Sequence, residues 1–378
     1  MLKYKKTLVL LAVTMVAAFY LFWPGFKPDL SATPSLYMKV SASFGTDQGR
    51  GNVVGIEPYM EPLDYATPAR FEAKLAGYLE IAAHQGWIGE NTIVLLPEHI
   101  GTWLLAMGQK SRVYEAKDTS AAMLPIMSHN LVGMVKNLFI FDDESQWEAA
   151  LIRTRTPEVA AALYDVYSSL AKRFGVTLVT GSSAIMTPGI YPDTLSYGHG
   201  PIFNASFVFT PDGKPIEDAV RKVHPVPSEI GFTKASKAEF LPTFPVAGRT
   251  LGVLVCADSW FEDTTAYLAG SGVDLLLVPS FLTGTTWDAP WQGYQGDMPQ
   301  THGWQSDVGS ITEGEAWIKY ALPAKAAKHN IRFGMNVFLK GNMWGQKGAG
   351  RALIWQDGTL HVGRGGDDGA ALYNLWLD

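Results

Sequence analysis

The sequence of 378 residues has one cysteine, Cys256, so it cannot form a disulfide within the chain. A lone thiol of this kind is either an inert buried side chain or a reactive nucleophile. The chain has no Lys- or Arg-rich stretch beyond its first residues, and its formal net charge of -6 argues against nucleic-acid binding. Its eight histidines show no His-x-x-x-His spacing, and we therefore expect no metal site.

The chain also lacks the features that would divide it into domains or repeats. No Ser- or Pro-rich linker, no internal period and no low-complexity tract is present in the sequence. Hydrophobic residues make up 47% of the chain and charged residues 17%, which is an ordinary globular composition with ample material for a core. We therefore expect one large domain over residues 37–378, after N-terminal segments of a different character.

The N-terminal segment is the exception to this globular pattern. Three lysines precede an apolar run over residues 8–23, whose length is close to the ~17-residue lower limit for crossing a bilayer. The run predicts a single-pass signal anchor over residues 1–26 and a tether over 27–36, with the catalytic domain on the periplasmic or extracellular side. The alternative is a signal peptide cleaved near residues 16–18, which would give a secreted protein.

Cys256 follows a short apolar segment, residues 251–255, which predicts a buried strand. Asp258 and Ser259 then give the signal of a helix N-cap, and the following residues predict a short helix ended by glycine. A thiol between a strand end and the first turn of a helix lies near N–H groups that favour an anion. This placement favours a thiolate nucleophile over an inert side chain.

Two other strand ends offer the groups that a nucleophilic cysteine needs. Glu98 follows the apolar segment NTIVLLP, where burial can raise a carboxyl pKa enough for the group to act as a base. Lys222 lies in a segment of alternating polarity, with Glu229 seven residues later, and its ammonium would stabilise an oxyanion. The adjacent His99 and His224 are expected to point away, since neighbours in a strand face opposite sides.

The segments LLPE, RKVHP and GVLVCADSWFE, in this order, resemble the three signature blocks of the nitrilase (carbon–nitrogen hydrolase) superfamily. Further similar blocks extend from about residue 37 to the C-terminus, and Asp357-Gly358 in the last of them is the signal for a tight hairpin turn. The resemblance implies an α/β fold, the four-layer α-β-β-α sandwich of the nitrilase type, preceded here by one N-terminal membrane helix. It also implies a Glu-Lys-Cys triad that needs no cofactor.

The resemblance implies a role for each candidate residue. Cys256 would attack the carbonyl carbon of an amide and form a thioester, while Glu98 takes the thiol proton, passes it to the leaving amine and later activates water. Lys222 and the backbone N–H of Ala257 would hold the oxyanion of the tetrahedral intermediate. Glu229 matches a second glutamate that, in many members, orients the substrate and the lysine.

The residues after the cysteine point to one branch of the superfamily. Cys-x-Asp, ending at Asp258, followed by an aromatic residue and Glu262, resembles the amidase and carbamoylase branches, whereas the nitrile-cleaving branch has Trp-Glu after the cysteine. We therefore expect thiol-dependent hydrolysis of a non-peptide C–N bond that releases ammonia or an amine from a small amide. The alternatives are nitrile hydrolysis, acyl transfer to a lipid-linked or lipoprotein substrate, and a catalytically idle binding module, which the three triad residues disfavour.

Two segments exceed the usual plan of the superfamily and are expected as insertions, near residues 100–150 and 284–314. The first is rich in Met and Leu, and it is either a helical layer on the core or a lid or membrane-facing surface. The second is a long loop with several aromatic residues, and we take Trp287 there and Trp260 beside the nucleophile as candidate substrate-binding residues. The resemblance also implies pairing into a homodimer or a larger assembly.

Overall fold

The computed structural model of the protein describes residues 25–141, 143–294 and 304–378. The predicted signal anchor therefore lies outside the described residues except for its last two positions, and so does part of the predicted insertion at 284–314. Within the described ranges, no helix is both long enough and apolar enough to span a bilayer.

The described residues form alternating strands and helices. The strands are β1 (Met38–Phe44), β2 (Asn52–Glu57), β3 (Tyr59–Met60), β4 (Thr92–Leu95), β5 (Thr177–Val179), β6 (Ser183–Ile190), β7 (Leu195–Phe209), β8 (Pro215–Arg221), β9 (Thr243–Val246), β10 (Arg249–Val253), β11 (Leu275–Ser280), β12 (Leu282–Thr283), β13 (Phe333–Phe338), β14 (Lys340–Met343), β15 (Gln346–Ala349), β16 (Leu353–Gln356), β17 (Thr359–Val362) and β18 (Ala370–Trp376). The α-helices are α1 (Pro68–His84), α2 (Ser111–Tyr114), α3 (Thr119–His129), α4 (Leu131–Ile140), α5 (Gln146–Phe174), α6 (Pro227–Ile230), α7 (Glu262–Gly270), α8 (Glu313–Tyr320) and α9 (Leu322–His329).

The strands form two large sheets and one small sheet. The first sheet has the order β1-β18-β2-β4-β5-β7-β6, with β8 paired to β7, and the second has the order β17-β16-β13-β11-β10-β9. Strands β2, β4 and β5 run parallel in the first sheet, as do β10, β11 and β13 in the second. Because parallel strands end at the same edge, each large sheet has one edge where loops leave the carboxyl ends of its strands.

The two large sheets pack face to face, because successive side chains along β2 point alternately into two different cores. Val54 belongs to the core formed with α1 and α5, whereas Val53 belongs to the core formed with the second sheet. Gly55 allows this close approach, since an added Cβ there would lie 2.3 Å from the sulfur of Met335 and 2.7 Å from Val337. Helices therefore cover the outer face of the first sheet, and the second sheet covers its inner face.

Helices α7 and α9 cover the outer face of the second sheet. Gly252 on β10 lies against Leu268 of α7, and Gly334 on β13 lies against Leu322 of α9. Glu262, at the start of α7, forms ion pairs with Lys325, Lys328 and His329 of α9. These pairs hold the two outer helices together, and the layers follow one another as helix, sheet, sheet and helix.

Local signals explain where the outer helices of the first sheet begin and end. Thr67 caps α1 by accepting the N–H of Arg70, and Pro68 occupies the first position, where no N–H is needed. Helix α5 ends at Gly175, whose φ of 64° gives the left-handed cap that glycine adopts at little cost. The insertion predicted near residues 100–150 contains α2, α3 and α4, which lie between β4 and α5.

Candidate active site

Glu98 lies just beyond the carboxyl end of β4, and it is only 2% exposed. Its Oε1 accepts hydrogen bonds from Nζ of Lys222 at 2.7 Å and from Nδ2 of Asn204 at 2.9 Å. Its Oε2 accepts the backbone N–H of Phe281 at 3.0 Å, and Phe281 follows the carboxyl end of β11 in the other sheet. The carboxylate therefore joins the edges of the two sheets at one buried point.

Cys256 begins a short 3-10 turn, Cys256–Trp260, three residues beyond the end of β10. Its φ of 51° lies in the left-handed region, which is uncommon for a residue with a side chain and is found repeatedly at functional sites. The thiol is buried, and the charges of Glu98 and Lys222 both act on its pKa. The turn therefore brings the sulfur to the carboxylate and the ammonium.

Lys222 follows directly after β8, and its backbone N–H bonds to the carbonyl oxygen of Asn204 at 2.9 Å. Its Nζ lies 2.7 Å from Oε1 of Glu98 and 2.5 Å from Oε2 of Glu229. Burial disfavours the ammonium, but the charges of Glu229 and Glu98 outweigh burial and raise the pKa of Lys222 well above its usual range. The buried lysine therefore stays protonated at neutral pH.

Glu229 lies on the short helix α6 and turns its carboxylate toward the lysine. Its Oε1 accepts hydrogen bonds from Nδ2 of Asn204 at 2.7 Å, and Nε2 of His99 lies 3.1 Å away. Burial opposes its charge, but Lys222 and then His99 outweigh burial and hold the pKa of Glu229 below its usual range. Glu98 and Glu229 therefore flank one ammonium, which both carboxylates contact.

The environment of Cys256 differs from the one predicted from the sequence. Burial, and then the nearby Glu98 carboxylate, raise the pKa of the thiol well above its ordinary value, although Lys222 acts in the opposite direction. Helix α7 begins only at Glu262, so its N-terminus does not favour a thiolate at Cys256. The resting nucleophile is therefore a neutral thiol, and Glu98 is the nearby carboxylate that can accept its proton.

Asp258 does not cap a helix, contrary to the sequence prediction. Its carboxylate accepts the backbone N–H groups of Val223 at 3.0 Å, His224 at 2.7 Å and Val255 at 3.3 Å. These donors belong to the segment after Lys222 and to the end of the segment before the cysteine. Asp258 therefore fastens the nucleophile turn to the strand end that carries the lysine.

His99 contacts the site, and the expectation that it would point away from Glu98 was wrong. Its φ of 58° shows that the extended backbone has already ended, so the alternation of faces along a strand no longer applies. Its Nε2 contacts Glu229 at 3.1 Å. His224 does turn elsewhere, since its ring stacks on Phe261 with the centroids 3.6 Å apart.

Asn204, in the middle of β7, is a site residue that the sequence patterns did not indicate. Its Nδ2 donates to both Glu98 and Glu229, and among the described residues its buried Oδ1 has no hydrogen-bond partner. The signal that could have indicated it is a polar amide within the otherwise apolar segment FNASFVF, which precedes the lysine hairpin. A buried amide needs partners, and here the partners are the two carboxylates.

The candidate oxyanion donors lie at the same point. Ala257 is the second residue of the nucleophile turn and is 2% exposed. Backbone N–H groups in the first turn of a helix have no partner within it, so this N–H is available to an anion. Lys222 adds a charged donor, and the two together suit the oxygen of a carbonyl attacked by Cys256.

The candidate substrate-binding tryptophans occupy different surroundings. Trp260 lies in a buried aromatic cluster that includes Trp291, Tyr294, Trp317 and Tyr320. Within it, burial raises the pKa of the Tyr294 hydroxyl above its usual range. Trp287 instead packs edge-on against Phe338 at 5.8 Å and lies over Gly314, where an added Cβ would be 2.3 Å from the indole.

The site contains side chains of types that bind metal ions. Among the described residues, ligand atoms of Glu98, His99 and Glu229 lie within 4.8 Å of one another. The ammonium of Lys222 already bonds both carboxylates, so it takes the place that a cation would need between them. The site chemistry is therefore that of a carboxylate–ammonium pair beside a thiol, and the expected absence of a metal site stays a prediction.

Comparison with known proteins relates this chain to one enzyme family. The sequence profile described as Carbon-nitrogen hydrolase matches residues 114–308, which is more than half of the chain. A probable nitrilase of Schizosaccharomyces pombe (strain 972) is 26% identical over 159 residues, which are 41% of this chain and 52% of that protein. The chain thus spans about half the length of the curated relative that it matches.

Solved structures resemble most of the described fold. A double mutant of the amidase from Nesterenkonia sp. AN1, in complex with acrylamide, has a TM-score of 0.52 and 15% identity, and the match covers 88% of this chain and 93% of that one. A single mutant of the same amidase with butyramide has a TM-score of 0.52 and 16% identity, covering 86% and 91%. The mixed α/β fold is therefore similar to that of nitrilase-superfamily amidases.

Proposed function

Because the chain belongs to the carbon–nitrogen hydrolase family, we propose that it hydrolyses a non-peptide amide bond through a cysteine acyl-enzyme. The observation that carries this proposal is the single buried group formed by Glu98, Lys222 and Cys256, which are far apart in sequence. The group contains a nucleophile, a proton acceptor and a charged oxyanion donor, which are the parts that acyl transfer needs.

Acylation begins with attack of the Cys256 sulfur on the carbonyl carbon. As the S–C bond forms, the thiol proton moves to Glu98, whose carboxylate is close enough to the thiol to raise its pKa. The carbonyl oxygen becomes an oxyanion held by Lys222 and the N–H of Ala257. The C–N bond then breaks, Glu98 gives its proton to the nitrogen, and ammonia or an amine leaves a thioester on Cys256.

Deacylation repeats these proton movements, with water as the nucleophile and the Cys256 thiolate as the leaving group. Glu98 takes a proton from the water as its oxygen attacks the thioester carbon, and the same two donors hold the second oxyanion. The C–S bond breaks, the thiolate takes the proton from Glu98, and the carboxylic acid leaves. Atoms and charges balance over the cycle, and the proposed mechanism uses no cofactor.

The charges around Lys222 explain why a lysine can serve as an oxyanion donor here. Burial alone would favour the neutral amine, which carries no charge to stabilise the intermediate. Glu229 and Glu98 supply two negative charges within hydrogen-bond distance, so the ammonium form is retained. We propose that Glu229 is present mainly to hold and orient this ammonium, since its other side-chain contacts are to Asn204, His99 and the backbone N–H of Val226.

A small amide is the proposed substrate class. The amidase from Nesterenkonia sp. AN1 is described with acrylamide and butyramide bound, and one of its mutants shows acrylamide added at the active-site cysteine. The relative from Schizosaccharomyces pombe is described as a probable nitrilase, but Asp258 stands here where the nitrile-cleaving branch has glutamate. Acyl transfer to a lipid-linked amine is a second candidate, which the apolar N-terminal segment favours, and it differs only in the group that takes the acyl chain from Cys256.

The test is ammonia release by the full-length protein in detergent micelles. A panel of aliphatic amides, N-carbamoyl compounds and nitriles is assayed beside Cys256→Ala. Ammonia from amides or carbamoyl compounds that falls to background in the variant supports the proposal. Release from nitriles alone would identify a nitrilase. Silence across the panel, with an acyl adduct on Cys256 after incubation with phospholipid, would support the acyl-transfer candidate instead.

We also propose that residues 1–26 are a signal anchor and that the domain of residues 37–378 is exported, forms the four-layer sandwich of the superfamily and pairs with a second copy. The basic start and the apolar run over residues 8–23 support the anchor. Membranes washed with alkaline carbonate and then treated with protease from the outside test it. Retention in the membrane with digestion of the domain is expected, whereas release by carbonate would indicate a peripheral or secreted protein.

A further inference from the structure

Helices α3 and α4 of the insertion expose a group of large apolar side chains. These are Leu124, Leu131, Val132, Val135, Phe139 and Ile140. Val132 and Phe139 are each 89% exposed, so they contribute almost nothing to the core. Soluble domains rarely leave apolar patches of this kind uncovered unless a partner or a membrane covers them.

All of these exposed side chains except Leu124, which is on α3, belong to one face of α4, because the opposite face is already used. Gly133 lies against Thr154 of α5, and an added Cβ there would be 2.5 Å from its methyl group. Asn137 donates to Oγ1 of Thr154 at 3.0 Å, and Met134 is buried in the core. Helix α4 is thus fixed on α5 by one face, and its other face points away from the domain.

The charge of this surface distinguishes it from the rest of the molecule. Residues 119–140 contain no Asp or Glu and one lysine, Lys136, which is exposed, although the whole chain has a formal net charge of -6. An apolar helical face with a basic residue and no acidic one is typical of helices that lie in the interface of an anionic bilayer.

The first described residues, which follow the apolar run of the predicted anchor, contact the start of the helices of the insertion. The carbonyl oxygen of Phe26 accepts the backbone N–H of Ser111 at 3.0 Å, at the start of α2. Phe26 is itself 87% exposed, and the apolar run of residues 8–23 ends three residues before it. The anchor therefore joins the domain beside the short helix that leads into α3.

We propose that α3 and α4 dock on the bilayer surface, with the exposed apolar side chains between the lipid headgroups and the start of the acyl chains. This docking goes beyond the proposed reaction, and it rests on the proposed export and anchoring of the chain. The insertion begins two residues after Glu98, so a docked α3–α4 surface links the active-site strand end to the membrane face. Such a contact fixes the orientation of the domain relative to the bilayer.

Photo-crosslinking to lipid tests this docking. The full-length protein with Phe139→p-benzoylphenylalanine is reconstituted in vesicles of phosphatidylethanolamine and phosphatidylglycerol, irradiated, digested and analysed by mass spectrometry. The matched control is Phe240→p-benzoylphenylalanine, since Phe240 is also an exposed aromatic residue but lies next to α7 in the opposite helical layer. Both positions are exposed, so neither substitution removes a core contact.

The expected result is a phospholipid adduct at position 139 at least tenfold more abundant than at position 240. Equal adducts at both positions, or none at 139, would overturn the proposal. A cross-linked band of twice the mass from position 139, without lipid adducts, would instead identify a second copy as the occupant. The experiment measures the mass of lipid adducts on the protein and not catalytic turnover. Its result can therefore be interpreted even if the protein proves not to be an amidase. If carbonate releases the chain from membranes, the same vesicles are added to the released protein, and lipid adducts at 139 then support docking without an anchor.

Discussion

The carboxylate of Asp258 accepts the backbone N–H of Val223 at 3.0 Å, which ties the nucleophile turn to the residue after Lys222. The two residues are 35 positions apart in sequence, and they follow strands of different sheets, β8 of the first sheet and β10 of the second. The same carboxylate also accepts the N–H of His224 at 2.7 Å. The relative position of the Cys256 sulfur and the lysine ammonium therefore depends on a residue that contacts neither the carbonyl carbon nor its oxygen in the proposed mechanism.

Asp258→Asn should act on alignment rather than on substrate binding. The amide retains one acceptor oxygen but turns an NH2 group toward backbone donors, which shifts the nucleophile turn. We expect kcat to fall about 100-fold, the size of effect that a small misplacement of reacting groups produces, with little change in KM. The control is Asp274→Asn, because Asp274 accepts the N–H of Thr250 at the other end of the second sheet. A rise in KM with kcat intact would contradict this positioning role.

Glu98 has two effects on Cys256 that one substitution separates. It accepts the thiol proton in the proposed reaction, and its negative charge also raises the pKa of the thiol. Glu98→Gln should therefore abolish ammonia release but increase the rate at which iodoacetamide alkylates Cys256 at pH 8, because more of the thiol is then ionised. Intact-protein mass spectrometry measures the rate of alkylation. Free glutathione is the reference thiol, and we expect it to react faster than Cys256 of the wild type.

The matched control for this pair of assays is Glu90→Gln, an exposed glutamate in the turn before β4. It should leave both rates unchanged. Slower alkylation in Glu98→Gln would show that the carboxylate promotes ionisation of the thiol rather than opposing it, and the neutral-thiol resting state would then be wrong.

Asn204→Leu removes the amide shared by the two carboxylates while keeping the branched shape and the number of heavy atoms of the side chain. Glu229 loses a donor that favours its ionised form, so the acidic limb of the kcat/KM profile should move to higher pH. The variant is compared with Asn374→Leu, since Asn374 is equally buried but bonds Asn52 and lies near the amino end of β2. If both variants lose activity with unshifted profiles, Asn204 has only a structural role.

The sequence predicts local elements well where the cause is itself local. The segment that precedes the nucleophile is a strand, although β10 (Arg249–Val253) ends two residues earlier than predicted because the chain already turns toward Cys256. The predicted hairpin turn at Asp357-Gly358 is confirmed, since both residues have positive φ, 43° and 88°, as a type I′ turn requires. Such features depend on a few neighbouring residues, which a sequence displays directly.

The environment of the site was less accessible from the sequence because it depends on contacts across the fold. The resemblance indicated the three residues that the structure brings together, but Asn204 contacts Glu98 only because β7 passes beside β5 in the first sheet. His99 joins the site through one positive φ that interrupts the strand pattern. The raised pKa of the Cys256 thiol results from burial and from a distant carboxylate, and neither is visible in the residues on either side of it.

Glu57, at the end of β2, is a buried carboxyl group outside the proposed reaction. It is 2% exposed and accepts the backbone N–H of Phe338 at 3.1 Å. Burial raises its pKa from 4.5 to about 7, although the nearby Lys340 and the Phe338 N–H favour the ionised form. The folded protein thus keeps this proton over a pH range in which the unfolded chain has lost it.

Glu57→Gln should remove one component of the pH dependence of stability. Below pH 4.5 both states of the wild type are protonated, and between pH 4.5 and 7 only the unfolded state ionises, so the wild type loses stability as pH rises. The glutamine variant, which keeps an acceptor for Phe338, should therefore gain up to about 3 kcal/mol relative to wild type between pH 4.5 and 7.5. Urea unfolding at several pH values measures the difference, with Glu90→Gln as the exposed control. A difference that is flat or falls with pH would show that Glu57 is ionised in the folded protein, with Lys340 and the Phe338 N–H compensating its burial.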